Sequence, residues 1–383
     1  MSNMDILGKW ITNNTDKPFI ARKIINITGP VKSAKALVTG LGQFNFYIDG
    51  KKISDHVLDP GWTDYRKTVQ YVDFDVTKEL KIGVHTLEIE VGNGWFCWDQ
   101  DFGYSFHFPE FMPPNPNPYK AFSDYLICNM KLQITYENGS TAEVITDDTW
   151  QVKEHRVKHS NVYGSELIGT NQGVFKQASL VAPNNIPAGN LTLQSQPAIK
   201  VIKSYQCNFM GENNSVRIYD IGQNISGLLR AKVRGKAGDK LIFKPAEKLD
   251  ENGMPDQLAK NWMLIDNIIS YEIEADNQIE EVKQSFTYFA GRYFAVEGVA
   301  DILELNADAI TSAWKTDGAF NCDDDRYNRI YDMIEKTVEA NMLSVHTDCP
   351  TIERFPWQEP NHLMGAAIMY MKDGSKLFRK FLS

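Results

Sequence analysis

The segment TDCPTIERFPWQEPNH (347–362) sets Asp348, Glu353 and Glu359 beside Cys349 and Trp357, with His346 and His362 at its two ends. Its three prolines break any regular element, and a loop so rich in acid and aromatic side chains points to a role beyond connection. Cys349 with His346 or His362 would make a thiol nucleophile and its base. Against that, Cys349 directly precedes a proline and no oxyanion-type glycine turn stands nearby. A metal centre needs several ligands at helical or turn spacing, and this arrangement matches no standard signature, so neither a metal nor another cofactor is expected. Paired carboxylates beside an aromatic fit glycoside hydrolysis best, one acid protonating the leaving oxygen while another carboxylate activates water. Glu353 follows Ile352 and precedes Phe355 by two, apolar neighbours that favour a protonated general acid, whereas Arg354 next door favours the anion. On the residues alone, a structural acidic loop remains the alternative.

Two regions of different character must position this loop. From about residue 19 to 300 the chain reads as β, with short alternating runs broken by the turn dipeptides Asp49-Gly50, Asn138-Gly139 and Asn252-Gly253. Regular strands without intervening helices favour sandwiches over a parallel sheet. A soft boundary at SLVAPNNIPAGNLTLQSQPA (179–198) suggests one β-sandwich on each side. After about residue 306 the period changes. Tyr327, Ile330, Tyr331, Ile334, Val338 and Met342 recur at three- and four-residue steps, and the aspartates at 323–325 supply an N-cap. NHLMGAAIMYM and SKLFRKFL open further helical patterns. The division expected is 1–180, 181–305 and 306–383.

Within the β half, LDPGWTDYRKTVQYVDFDVTKEL (58–80) carries Trp62, Tyr65 and Tyr71, either a sugar-stacking platform or, as preferred, core filling. VGNGWFCWDQDFGYSFHFPEFMPPNPNPY (91–119) is a long aromatic, proline-interrupted loop, suited equally to a ligand or to packing. YDIGQNISGLLRAKVRGKAGDKLIFKPAEKLDENG (219–253) reads as a structural meander with glycine turns.

Composition excludes some functions. A net charge of −9 argues against nucleic acid. No run approaches a membrane span, so no membrane partner is expected. MSNMDILGKW lacks the order of a signal peptide, and the five cysteines, at 97, 128, 207, 322 and 349, suit reduced thiols; a cytoplasmic location is expected.

Taken together, GLGQFNFYIDGKKI with LDPGWTDYRKTVQY and VGNGWF, then SNVYGSE (160–166), YDIGQNISGLLRAKVRGKAGDKL, FTYFAGRYFAVEG (286–298) and FNCDDDRYNRIY leading into TDCPTIERFPW, resemble the bacterial α-L-rhamnosidases of glycoside hydrolase family 78, in the family's order and over nearly the whole chain. The resemblance implies a mainly β fold, two β-sandwich domains followed by the first helices of a truncated (α/α)6 barrel. It implies hydrolysis of rhamnose-containing glycosides or oligosaccharides with inversion. Glu353 would be the general acid, Asp348 would bond the rhamnose hydroxyls, Trp357 would face the sugar's C6 methyl, and Arg354 would be a further substrate-binding residue of the matched motif.

The family's motif departs here in three places. The stretch before Glu353-Arg354 is one residue short and has Ile352 for its usual arginine. Pro356 replaces the glycine before the tryptophan. Glu359-Pro360 replaces the following Gly-Asp, so Glu359 would take the aspartate's part in shifted register. The family's general base, a glutamate far along the barrel, has no counterpart before residue 383, so this chain alone is expected to be inactive. Its helices are expected to expose MGAAIMYM, to be covered by a second copy in a homo-oligomer or by the missing C-terminal catalytic portion. The competing readings are a β-sandwich carbohydrate-binding protein without catalysis and a structural or assembly module.

Overall fold

The computed structural model describes residues 7–97, 123, 125–171, 173–257, 267–352 and 354–382. The chain is mainly β, with three α-helices among the described residues: α1 (Asp325–Asn341), α2 (Gln358–Met371) and α3 (Ser375–Phe381). By its internal contacts it forms two compact units. The first comprises 1–99, 119–160 and 171–194; the second comprises 100–118, 161–170 and 195–383.

The first unit holds two sheets. One runs in the order Ser179–Leu180, Ile11–Thr12, Ile127–Tyr136, Val31–Leu41, Thr68–Asp75, Asn190–Leu193, with Thr141–Ile145 paired to Ile127–Tyr136. The other runs Lys176–Gln177, Gln151–Glu154, Phe19–Ile27, Gly83–Gly92, Gln43–Ile48, Lys51–Lys52. Alternation explains their burial. In GVHTLEIEVG (83–92) His85, Leu87, Ile89 and Val91 face inward while Glu88 and Glu90 face the other way, as the two-residue period of a pleated strand requires. Side chains from both sheets form one apolar cluster, including Ala36, Val38 and Leu132 from the first and Phe46, Leu87 and Ile89 from the second. Each large aliphatic side chain fully buried there contributes about 2 kcal/mol.

The turn dipeptides behave as their residue types dictate. Asp49 and Gly50 both have positive φ and close the hairpin from Gln43–Ile48 to Lys51–Lys52. Gly139 and Gly253 take positive φ at the two other turns. Of the aromatics of 58–80, Tyr65 is buried edge-on to Phe96, Tyr71 packs against the core, and the half-buried Trp62 stacks on Trp95 at 4.8 Å. The aromatic loop of 91–119 lies outside the described residues from position 98. The Pro- and Asn-rich stretch 179–198 is no bare linker. It carries Asn190–Leu193, which pairs parallel with Thr68–Asp75 through backbone groups that composition does not report.

In the second unit a sheet runs Glu166–Ile168, Ile269–Glu272, Lys240–Ala246, Phe289–Glu297, Val216–Arg234, Asp301–Thr311, Ile199–Gln206. The 19-residue strand Val216–Arg234 breaks register between Asp220 and Ile225, where Gly222 has φ +85°. Asp220 pins this bulge: its carboxylate accepts from the Gly222 N–H at 2.7 Å and from Arg292 at 2.9 Å. Such bulges bend a strand and re-aim its side chains. Ahead of α1, Asp324 is the N-cap, accepting from the Arg326 N–H at 3.0 Å. Val338 and Met342 of the predicted stripe join Ala313, Ile368 and Leu377 in a small apolar cluster. Tyr327 and Ile330 remain exposed.

Candidate functional site

Residues 348–355 close on themselves. The Asp348 N–H donates to the Phe355 carbonyl at 3.1 Å, and the Arg354 N–H donates to the Cys349 carbonyl at 3.1 Å. The Asp348 side chain braces the same turn, its Oδ1 accepting from the Cys349 N–H at 2.7 Å and the Phe355 N–H at 3.3 Å. Thr351 hydrogen-bonds Glu247 of the β region through its hydroxyl. The loop is thus closed at its base and tied down at its side.

Arg354 is the anchor. It has φ +60° and is 2 % exposed. Its Nη1 donates to the carbonyls of Tyr288 at 2.8 Å and Val162 at 3.2 Å, and its guanidinium lies 4.0 Å from the centre of the Tyr288 ring. A planar cation with several donors suits such a position, stacking on a ring while bonding carbonyls at its edge. Gly164 completes the cradle. With φ +101°, a Cβ there would meet Asn267 Oδ1 at 2.7 Å, the Tyr288 carbonyl at 2.8 Å and Arg354 Nη2 at 2.9 Å. Nearby, the buried Glu166 carboxylate accepts from the Ser285 and Phe286 N–H groups, both at 2.8 Å, fixing the segment that leads to Tyr288. Burial pushes the Tyr288 hydroxyl up to about 12, against the opposing effect of Arg354.

Trp357 stands at the N-terminus of α2, 43 % exposed, its ring 5.6 Å from that of Phe355. Glu359 is exposed in the first turn of α2, where the helix dipole favours a carboxylate. His346 is buried behind the loop, its Nδ1 3.2 Å from Asn361 Oδ1. Burial lowers the pKa of this imidazole, partly offset by the Asn361 contact.

Of the sequence-predicted residues, Asp348, Arg354, Trp357 and Glu359 therefore occupy one closed loop and the helix start that follows it. Glu353 lies outside the described residues. Arg354 differs from its expected role as a sugar contact, since its buried guanidinium is turned onto main-chain carbonyls. The cradle of Val162, Gly164, Asn267 and Tyr288, together with Glu247, escaped the sequence reading. SNVYGSE and FTYFAGRYF stood out as markers of the β region, and only the fold shows that they seat the loop. Among the described residues no three His, Cys, Asp or Glu side chains stand where they could hold a metal ion. No helix among them is long and apolar enough to cross a membrane.

Three domain families match the chain in succession. Residues 29–203 match the α-L-rhamnosidase N-terminal domain, 211–314 the bacterial α-L-rhamnosidase concanavalin-like domain, and 315–383 the bacterial α-L-rhamnosidase six-hairpin glycosidase domain. An α-L-rhamnosidase of Formosa agariphila is 26 % identical over 94 % of this chain and 39 % of its own length. The solved α-L-rhamnosidase of Dictyoglumus thermophilum superposes with TM-score 0.85 at 24 % identity, over 99 % of this chain and 44 % of that one. The Streptomyces avermitilis α-L-rhamnosidase, solved with L-rhamnose, gives 0.83 at 20 % identity, over 96 % of this chain and 36 % of that one. The chain thus spans about two fifths of the length of the relatives it matches.

Proposed function

Because the chain belongs to the bacterial α-L-rhamnosidases, with their three domains matched in order, we propose that it is the portion of such an enzyme that carries the general acid of an inverting hydrolysis of terminal α-L-rhamnosides. Glu353 protonates the glycosidic oxygen, and a carboxylate in the part of the relatives that this chain does not span activates water on the opposite face. Asp348 holds the sugar hydroxyls, Trp357 offers an apolar wall to the C6 methyl, and Glu359 closes the pocket from the first turn of α2. Arg354 acts through its neighbour. Its guanidinium ties position 354 to the carbonyls of Val162 and Tyr288, and proton transfer to a leaving oxygen depends on placement to about an ångström. The observation that carries this reading is the closed 348–355 loop seated by Arg354 in the β region.

The shared apolar cluster of the first unit's two sheets supports a β-sandwich there; the proposal keeps boundaries near 180 and 305, with a second sandwich and then the start of an (α/α)6 barrel. None of the five cysteines is joined in a disulfide, which suits a reducing, cytoplasmic setting.

The test is hydrolysis of an aryl α-L-rhamnoside by this chain, alone and with a supplied C-terminal barrel fragment, beside Glu353→Gln. The expected result is no turnover alone, turnover with the fragment, and its loss in Glu353→Gln. Robust hydrolysis by the chain alone would refute the division of acid and base. No activity in any mixture, with the chain well folded, would leave a binding or structural module.

A further inference from the structure

A cleft of about 520 Å³ lies in the second unit, between α1 and the bulge of the strand Val216–Arg234. One wall presents Arg329, Asp332 and Lys336 of α1, and the other presents Gln223 and Asn224; Glu247 and Pro350 close one end. That volume lies in the range of small-molecule sites, about 300–1,000 Å³.

Both walls are fixed. Ser226, next to the bulge, donates its hydroxyl to the Ala340 carbonyl of α1 at 2.6 Å. Asp220 holds the bulge itself through Gly222 and Arg292. The closed end is fixed by the Thr351–Glu247 hydrogen bond. A polar cleft with rigid walls is already arranged for a ligand and loses little entropy on binding one.

Gln223, Thr337 and Asn341 spend a donor on main-chain carbonyls of the cleft itself, whereas its two cations do not pair with its carboxylates. Arg329 and Lys336 make no hydrogen bond or ion pair with a described residue, although Asp332 lies within helical reach of both. Nearby cations are paired: Arg326 with Asp324 at 2.6 Å, Lys315 with Asp373 at 2.7 Å, and Lys372 with two glutamates. Seven residues apart on an α-helix, Arg329 and Lys336 stand about 10 Å apart along its axis, which is the span of a disaccharide. Asp332 between them and Glu247 at the end accept from hydroxyls, and the Gln223 and Asn224 amides both donate and accept. Met333 and Pro350 supply the apolar surface against which the C–H face of a pyranose rests.

We propose that this cleft is a subsite for an anionic sugar in the glycan that carries the rhamnose, lying along α1 with its charged group on Arg329 or Lys336 and its hydroxyls on Asp332 and Glu247. The proposal deepens the rhamnosidase reading and rests on it for the identity of that glycan. The anionic group is a uronate carboxylate or a sulfate ester, chemistries that the same two cations serve.

The full chain is titrated with digalacturonate, with a sulfated galactose disaccharide and with a neutral digalactoside, following heat by calorimetry and side-chain amide shifts by NMR. At least one anionic disaccharide binds tenfold or more tightly than the neutral one. Its advantage falls as salt is raised, and the Asn224 amide signals move. Whichever arm binds identifies the carboxylate or the sulfate. In Arg329→Ala/Lys336→Ala the preference is lost while the urea midpoint stays unchanged, both side chains being exposed. Equal binding of all three sugars, absence of binding, or a preference that survives the double substitution overturns the proposal. These titrations involve no turnover. Failure of rhamnoside hydrolysis therefore falls on the earlier reading, and failure here falls on the subsite.

Discussion

A methyl group at position 164 has nowhere to go. Gly164 has φ +101°, and its added Cβ would press on Asn267, on the Tyr288 carbonyl and on the Arg354 guanidinium, all within 3 Å. Two of those contacts belong to the arginine's cradle, so the clash reaches the loop. Gly164→Ala is expected to lower stability by about 2 kcal/mol or more. In the reconstituted enzyme it should cut kcat more than KM, because it displaces the acid rather than the sugar's wall. A urea midpoint equal to that of the wild type would refute the cradle. His346 gives a second prediction at this scale. Burial holds its folded pKa below its unfolded value of about 6.5. Its contribution to stability is therefore present in full above about pH 6.5. It is lost as the pH falls toward the lower folded value, with a slope of at most about 1.4 kcal/mol per pH unit. Urea midpoints between pH 5 and 8 should show a steeper decline in the wild type than in His346→Gln; parallel curves would exclude the effect. The loop that holds Asp348, Trp357 and Glu359 stood out in the sequence through its acidic and aromatic side chains. The fastening of Arg354 did not, since its acceptors are main-chain carbonyls of residues 162 and 288, which have no side-chain signature.

Lys372 joins two helices. At the C-terminal end of α2, 2 % exposed, it reaches Glu335 at 2.8 Å and Glu339 at 2.7 Å on α1, and Thr316 Oγ1 at 3.2 Å. Burial alone would lower its pKa, but the two glutamates outweigh burial and raise it. Lys372→Met would leave two neighbouring carboxylates without their shared cation. The expected loss is about 3 kcal/mol, seen as earlier melting of the helical circular-dichroism signal. Lys372→Arg should recover part of it, and a neutral effect of Lys372→Met would mean that α1 and α2 are held by their apolar cluster alone. Elements with a strong period or a special turn residue were legible: α1 from its three- and four-residue steps, the 48–51 hairpin from Asp49-Gly50. Asn190–Leu193 was not, because a four-residue edge strand set among Pro, Asn and Gly pairs through its backbone and offers too short an alternation to stand out. Nor was the bend in Val216–Arg234, where glycine read as a turn instead marks a bulge inside one long strand.

At the scale of the whole chain, α2 is apolar on two sides. Ile368 turns into the small cluster with Val338, Met342 and Leu377, Met364 packs against it, and Met371 is buried as well. On the other side Leu363, Ala366 and Tyr370 are exposed at three- and four-residue steps, Leu363 by 68 % and Tyr370 by 81 %. A helix that is hydrophobic all round belongs to the interior of a helical domain, and a single-faced core explains only half of this one. α1 repeats the pattern more weakly, with Tyr327 and Ile330 exposed. Water against such a stripe is costly, about 25 cal/mol for each Å² left uncovered, so a chain presenting it should associate with itself. Sedimentation is expected to show a concentration-dependent shift from monomer to dimer or larger species in the micromolar range. Leu363→Lys/Tyr370→Lys should abolish that shift without lowering the urea midpoint, since both positions face solvent. A supplied C-terminal barrel fragment should abolish it too, by covering the same stripe, and at the concentration at which it restores rhamnoside hydrolysis. A wild-type chain that stays monomeric throughout would show that the stripe is tolerated in water, and the case for further helices packing on α2 would lose its physical ground.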